Sequence, residues 1–262
     1  MDHTAVVSVL VLLLSVSHAL PLLNEWNNEE IQKDLGRPLD ITTRILIANN
    51  GSSEWLIEGD LVVPRTRNAL ICLTNNCFWT KSTNGLVPVP YVLSSAFCKW
   101  DYLNMLTDFN SLRLHDKSQK YLFWIFLSSL RCYSSLGRQG GQQTVSLNTN
   151  GCIYNGVIQH ELNHALGFYH EHTRSDRDQH VTINYANIVP GMAYNFDKQN
   201  TNNQNTPYDY SSVMHYAKDA FTIKYGLDTI TPIPDSSVPI GQRVDLSSID
   251  ILRINKLYGC CE

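Results

Sequence analysis

The stretch His160-Glu161-Leu162-Asn163-His164-Ala165-Leu166-Gly167-Phe168-Tyr169-His170 constrains this chain more than any other. Its spacing is H-E-x-x-H-x-x-G-x-x-H. On an α-helix His160 and His164 stand one turn apart on the same face, so two imidazoles can address one metal ion. Glu161 sits beside the first of them, where its carboxylate can reach a water on that metal without binding the metal. Gly167 ends the helix, because glycine adopts the positive φ that a sharp exit needs, and the turn brings His170 back as a third ligand. Three protein ligands leave one coordination position open, which marks a catalytic rather than a structural zinc site. An ordinary amphipathic helix would account for Ile158, Leu162, Ala165 and Leu166. It would not account for three histidines and a glycine at this spacing.

The rest of the chain places that helix in a compartment. A length of 262 residues suits one large domain or two small ones. The net charge of −4 and the lack of a basic stripe point away from nucleic acid. Charged residues make up only 17%, while Asn, Ser and Thr are plentiful, as suits an extracellular protein. Ala5 to Val16 is a short apolar run followed by Ser17-His18-Ala19, with small residues where a signal peptidase reads. Residues 1–19 are therefore expected to be a secretory signal, although Asp2 and His3 stand where a Lys or Arg is usual. Leu122 to Leu127 is far too short to span a bilayer, so a soluble, secreted protein without a membrane span is expected.

Seven cysteines (Cys72, Cys77, Cys98, Cys132, Cys152, Cys260 and Cys261) in a secreted chain imply disulfides with one thiol left over. None has paired C-x-x-C spacing. Residues 20–67 are polar and free of cysteine, and they end in Pro64-Arg65-Thr66-Arg67. They read as a removable propeptide cut after Arg67 by a trypsin-like protease. The sequon Asn50-Gly51-Ser52 lies inside it. The folded domain is expected over 68–262.

Within that block Val87 to Leu93 reads as a strand, placed at an edge or a strand start by its prolines. Tyr121 to Leu127 reads as a buried strand, and Gln143 to Leu147 as another after the Gly140-Gly141 turn. The zinc helix is expected over Asn155 to Leu166, and a C-terminal helix over Leu246 to Leu257. Ser211-Ser212-Val213-Met214-His215-Tyr216 is the second informative stretch. Met214 in a tight turn can form an apolar floor under three imidazoles, with Tyr216 aiming its phenol at the metal. A core methionine and a packed tyrosine would be the plainer account of these two alone.

His160 to Asp178 (HELNHALGFYHEHTRSDRD) and Ser212 to Tyr216 (SVMHY) together resemble the astacin family of secreted zinc endopeptidases. Gly137 to Gln143, Cys152 to Gln159, Thr206 to Ser211 and the extra pair Cys72 and Cys77 are similar to its hatching-enzyme subgroup, the choriolysins. The resemblance implies an α+β metzincin, or zincin-like, catalytic domain. Its upper subdomain (about 68–167) and lower subdomain (about 168–262) would flank a cleft with the zinc helix at its floor. It implies one Zn2+ per subunit on His160, His164 and His170, with Glu161 as general base. Tyr216 would be a ligand in the resting enzyme that swings away to stabilise the oxyanion. Glu58-Gly59-Asp60 matches the family's propeptide motif, so Asp60 would coordinate zinc in the zymogen until cleavage removes it. Without the family, Asp60 would read as a turn residue after glycine. Substrate would add as a strand to an exposed edge at Cys132 to Ser135. Egg-envelope (zona pellucida) proteins are the implied substrate, with storage in zymogen granules and a monomeric enzyme.

The family pairing implies Cys72–Cys77 and Cys132–Cys152. Ser95 to Leu130 departs from the family pattern: it is shorter, Ser111 stands where the family has a cysteine, and Cys98 is an addition. Either Cys98 pairs with Cys260 or Cys261, or the long bridge is missing. Two other functions stay open on the sequence: an astacin-like protease with a digestive or matrix role, and a decayed non-catalytic paralogue.

Overall fold

The computed structural model describes residues 41–49, 56–62, 77–83, 85, 87, 89, 91–93, 123–126, 131–149, 151–242 and 244–260. The signal and cleavage-site expectations (1–19, Arg67), the sequon, Cys72, Cys98, Ser111 and Cys261 lie outside them. Helix α1 (Ile41–Asn49) and strands β1 (Leu56–Ile57) and β2 (Leu61–Val62) come from the segment ahead of Arg67. Strands β3 (Tyr91–Leu93), β4 (Phe123–Phe126), β5 (Tyr133–Ser135) and β6 (Gln143–Ser146) precede helix α2 (Asn155–Leu166). Strands β7 (Val181–Ile183) and β8 (Ile230–Pro232) and helix α3 (Ser248–Tyr258) complete the set, with short 3-10 turns between.

Six strands form one sheet in the order β1-β2-β5-β6-β4-β3. Strand β3 is at its edge and begins at Tyr91 rather than Val87. A ladder cannot run through Pro88 and Pro90, which have no N–H to give. Strand β4, the apolar run FWIF, lies between β6 and β3. Helix α2 packs on β5 and β6, and Val145, Leu147, Val157, Ile158, Leu162 and Ala165 join in the core beneath the sheet. The Cys132–Cys152 disulfide ties the start of β5 to the approach to α2.

A second apolar cluster, with Val181, Phe196, Tyr208, Tyr216 and Ile230, forms the lower part of the fold. Strands β7 and β8 pair there as a separate antiparallel ribbon. The α+β architecture with two parts on either side of a cleft is thus present. No helix among the described residues is long and apolar enough to cross a membrane.

Two expectations need correction. The edge at Cys132 to Ser135 is not exposed, because β2 lies against β5 in parallel, with Leu61 opposite Ser134 and Val62 opposite Ser135. The chain's own N-terminal segment covers the edge expected to take a substrate strand. The Cys98–Cys260 alternative is not formed, since Cys260 is a free thiol. Cys77 is disulfide-bonded, as the family pairing implied for it.

Candidate metal centre

Helix α2 spans the residues read from the motif, and Gly167 ends it at φ 109°. The Gly167 N–H donates to the His164 carbonyl at 2.9 Å and the Phe168 N–H to the Asn163 carbonyl at 3.1 Å. A Cβ at Gly167 would meet nothing closer than the Phe78 ring at 3.6 Å, so the demand for glycine lies in the dihedral rather than in space.

The exit returns His170 to the helix. Nε2 of His160 lies 3.2 Å from Nε2 of both His164 and His170. The opposite ring nitrogens settle the tautomers. Nδ1 of His160 donates to the Val213 carbonyl at 2.9 Å, and Nδ1 of His164 to the Phe168 carbonyl at 2.7 Å. A carbonyl can only accept, so each Nδ1 carries a proton and each Nε2 is the nitrogen left to face the centre. Nδ1 of His170 faces the Glu58 carboxylate at 2.7 Å. Three ring nitrogens thus converge in one buried space.

Asp60 adds a negative charge to the same space. Its Oδ2 lies 3.0 Å from Nε2 of His160 and 3.5 Å from Nε2 of His170, and its Oδ1 3.4 Å from Nε2 of His164. Burial alone would raise the Asp60 carboxyl, but the imidazoles around it hold it well below the usual carboxylate range. Asp60, His160, His164 and His170 are all buried and offer ligand atoms within 4.8 Å of one another. Three imidazoles and a carboxylate at this spread match the donor set and size of a four-coordinate zinc site.

Glu161 is wholly buried, and neither carboxylate oxygen has a hydrogen-bond partner. Burial pushes its carboxyl well above the usual range, and the Asp60 charge pushes the same way. The Tyr216 ring lies against His170, with centroids 4.6 Å apart, and its hydroxyl donates to the Glu58 carbonyl. Met214 is buried in the core cluster beside Leu162 and Ala165, and its carbonyl accepts from the Glu171 N–H at 3.0 Å.

Helix α3 holds this turn in place. Its expected start at Leu246 moves to Ser248 because Ser247 caps it, with Asp250 completing a capping box. The Asp250 carboxylate also accepts from the Ser212 hydroxyl at 2.7 Å and the Val213 N–H at 2.9 Å. The Val213 carbonyl then orients His160, so a helix cap is linked to a metal-facing imidazole through one residue. Glu171, next to His170, is buried and held by both outer nitrogens of Arg253, at 2.6 and 2.9 Å.

His160, His164 and His170 therefore come together with Asp60, the residue that the family resemblance brought to the site. The motif gave no sign of two further residues. Glu58 contacts His170 as described. Asn49, at the end of α1, donates to the Cys132 carbonyl at 2.6 Å and the Gly59 carbonyl at 2.9 Å. Its Oδ1 accepts from the Cys132 N–H at 2.7 Å, so one carboxamide satisfies both main-chain groups of Cys132.

Residues 92–259 match the model of the Astacin peptidase family. The chain is 52% identical to "High choriolytic enzyme 1" of Oryzias latipes over 260 residues, covering 96% of each chain. It is 45% identical to "Low choriolytic enzyme" of the same fish, covering 99% of this chain and all of the relative. A solved structure of the first, titled a hatching enzyme zinc-protease from medaka, superimposes with a TM-score of 0.70 at 51% identity. That match covers 74% of this chain and 100% of the relative. The chain belongs to the astacin family of peptidases and is a zinc metalloendopeptidase with a metzincin catalytic domain.

Proposed function

We propose that this chain is the zymogen of a secreted endopeptidase that digests egg-envelope proteins at hatching. Residues 1–19 direct secretion, and residues 20–67 keep the enzyme latent until a trypsin-like protease cuts after Arg67. The observation that carries the reading is the Asp60 carboxylate among His160, His164 and His170, with β2 laid along β5 beside it. One segment thus covers both the metal-facing nitrogens and the strand edge. The names of the relatives support the egg envelope as substrate.

In this reading His160, His164 and His170 hold one Zn2+ and Asp60 takes the position that water needs. Zinc bound there supplies the Lewis acidity that makes water nucleophilic at neutral pH. Once the segment leaves, main-chain groups of Cys132 and Ser134, now bonded to Asn49 and Asp60, are free to pair with a substrate strand. Glu161 takes the proton of the attacking water and returns it to the leaving amine. Loss of Asp60 removes one of the two causes that push its carboxyl upward. Tyr216, released from the Glu58 carbonyl, donates to the developing oxyanion. Met214 serves as an apolar floor.

The test is secretion of the full chain, followed by trypsin-like cleavage and assay on casein and on isolated egg envelope. The uncleaved chain should be inactive. The cleaved chain should digest both substrates, lose activity to a chelator and regain it with zinc. Equal activity before and after cleavage would remove the latency reading. Casein cleavage without envelope digestion would point to another extracellular role.

A further inference from the structure

Of the three metal-facing imidazoles, His160 and His164 are oriented by carbonyls of the peptidase block, Val213 and Phe168. His170 alone takes its Nδ1 partner from the N-terminal segment, and that partner is a carboxylate. Oε2 of Glu58 accepts from Nδ1 of His170 at 2.7 Å and from the His170 main-chain N–H at 3.2 Å. Oε1 accepts from Nε2 of Gln199 at 3.1 Å. The Glu58 carbonyl accepts from Tyr216, and its backbone sits at φ 51°, a region that residues other than glycine seldom occupy. The residue is 1% exposed. A buried carboxylate in an unusual backbone conformation is costly unless its partners hold it. Here every partner of the side chain belongs to the lower wall of the metal centre.

A carboxylate on the far nitrogen of a ligating histidine fixes the ring's tautomer and orientation and makes the near nitrogen a better donor to metal. We propose that Glu58 is a positioning residue for the third metal ligand in the uncleaved chain, and that it raises that chain's affinity for zinc. This rests on the reading of the three histidines as ligands, but not on Asp60 as a fourth. Asp60 faces the centre itself, whereas Glu58 acts only through His170. The two residues, one glycine apart, leave together when the segment leaves.

Zinc affinity of the uncleaved full chain, measured by competition with a zinc indicator, tests the proposal without an activity assay. Glu58→Leu is expected to weaken zinc binding about 10- to 100-fold. Glu58→Gln, which keeps an acceptor but loses the charge, should fall between the two. Glu58→Leu should lower the melting temperature of the metal-free chain, because the His170 and Gln199 donors lose their acceptor, but the rise on adding zinc should shrink as well, an outcome a merely structural role would not produce. If Glu58→Leu does not fold, Gln199→Leu, which removes one support of the same carboxylate, should weaken binding by a smaller factor. Wild-type affinity in a folded Glu58→Leu chain, or in Gln199→Leu where that variant must serve, overturns the proposal. Asp60→Asn separates the two readings. If it leaves affinity unchanged while Glu58→Leu lowers it, the Asp60 reading fails and this one stands.

Discussion

The Asp60 carboxylate lies 3.0 Å from Nε2 of His160, across a sequence separation of 100 residues. Asp60 also contacts His164 and His170, so its removal opens the centre of the cluster without touching α2. The segment would still be held by Asn49, Glu58 and β2. Asp60→Ala in the uncleaved chain should therefore release only part of the latent activity. The expected rise is on the order of tenfold over the uncleaved wild type, equivalent to about 1.4 kcal/mol. Casein assay in the presence of a trypsin inhibitor measures it, and an unchanged background would argue that strand coverage alone blocks the cleft.

Asn49 offers a test of that strand coverage. Replacing it with leucine would leave the Cys132 N–H and carbonyl buried without their partner, at about 1–3 kcal/mol for each group. Asn49→Leu should lower the stability of the uncleaved chain by about 2–6 kcal/mol in urea unfolding. The same substitution should have no effect once residues 20–67 have been cut away. A loss that persisted after cleavage would show that the segment stays bound.

These residues also show where reading the chain reaches its limit. Helix α2, its Gly167 exit and the convergence of His160, His164 and His170 are local consequences of spacing, so they were legible. Asp60 was legible only through the family, because nothing in a Glu-Gly-Asp turn points to histidines 100 residues away. Glu58 was named only as part of the propeptide motif, with no role of its own, and Asn49 was not seen at all. Their partners lie 112 and 83 residues along the chain, and a side chain that satisfies a distant strand leaves no periodic trace. The coverage of β5 was missed for the same reason, since a two-residue strand such as β2 has no alternation to read.

Glu161 should be dispensable for folding. Its carboxylate is buried without a partner, so Glu161→Gln removes a group that is hard to ionise there and keeps its shape. The cleaved variant should bind zinc and melt at or above the wild-type temperature. Its kcat/KM should fall by about 10²–10⁴, the usual contribution of a positioned base. Full activity in this variant would remove Glu161 from the mechanism.

His215 sets a pH dependence. Its Nδ1 donates to the Tyr216 carbonyl at 2.8 Å, and its Nε2 accepts from the Tyr208 hydroxyl at 2.8 Å, so the neutral ring is satisfied. Burial pushes its pKa from the usual 6.5 down to about 4. The unfolded chain therefore takes up a proton first as pH falls. The stability is complete above about 6.5 and is lost progressively toward 4, by on the order of 3 kcal/mol. Urea midpoints at neutral and acid pH should converge by this amount in His215→Gln relative to wild type. An identical pH profile in the two would refute the assignment.

Glu171 and Arg253 join the residue after His170 to helix α3. The carboxylate is 2% exposed and the guanidinium 8%, and the pair is bidentate at 2.6 and 2.9 Å. Glu171 also accepts from Arg174 at 3.3 Å and from the Asp209 N–H at 2.7 Å, so its charge has support beyond Arg253. Arg253→Met should cost about 3–5 kcal/mol, because the carboxylate loses its main counter-charge while it remains buried. Adding Glu171→Gln to that variant removes the stranded charge. The double variant should then recover much of the loss, with a coupling energy of about 1–3 kcal/mol from the full cycle of urea midpoints. Strict additivity of the two substitutions would mean that Arg174 and the Asp209 N–H already neutralise Glu171, and that α3 is tied to the metal centre only through Asp250.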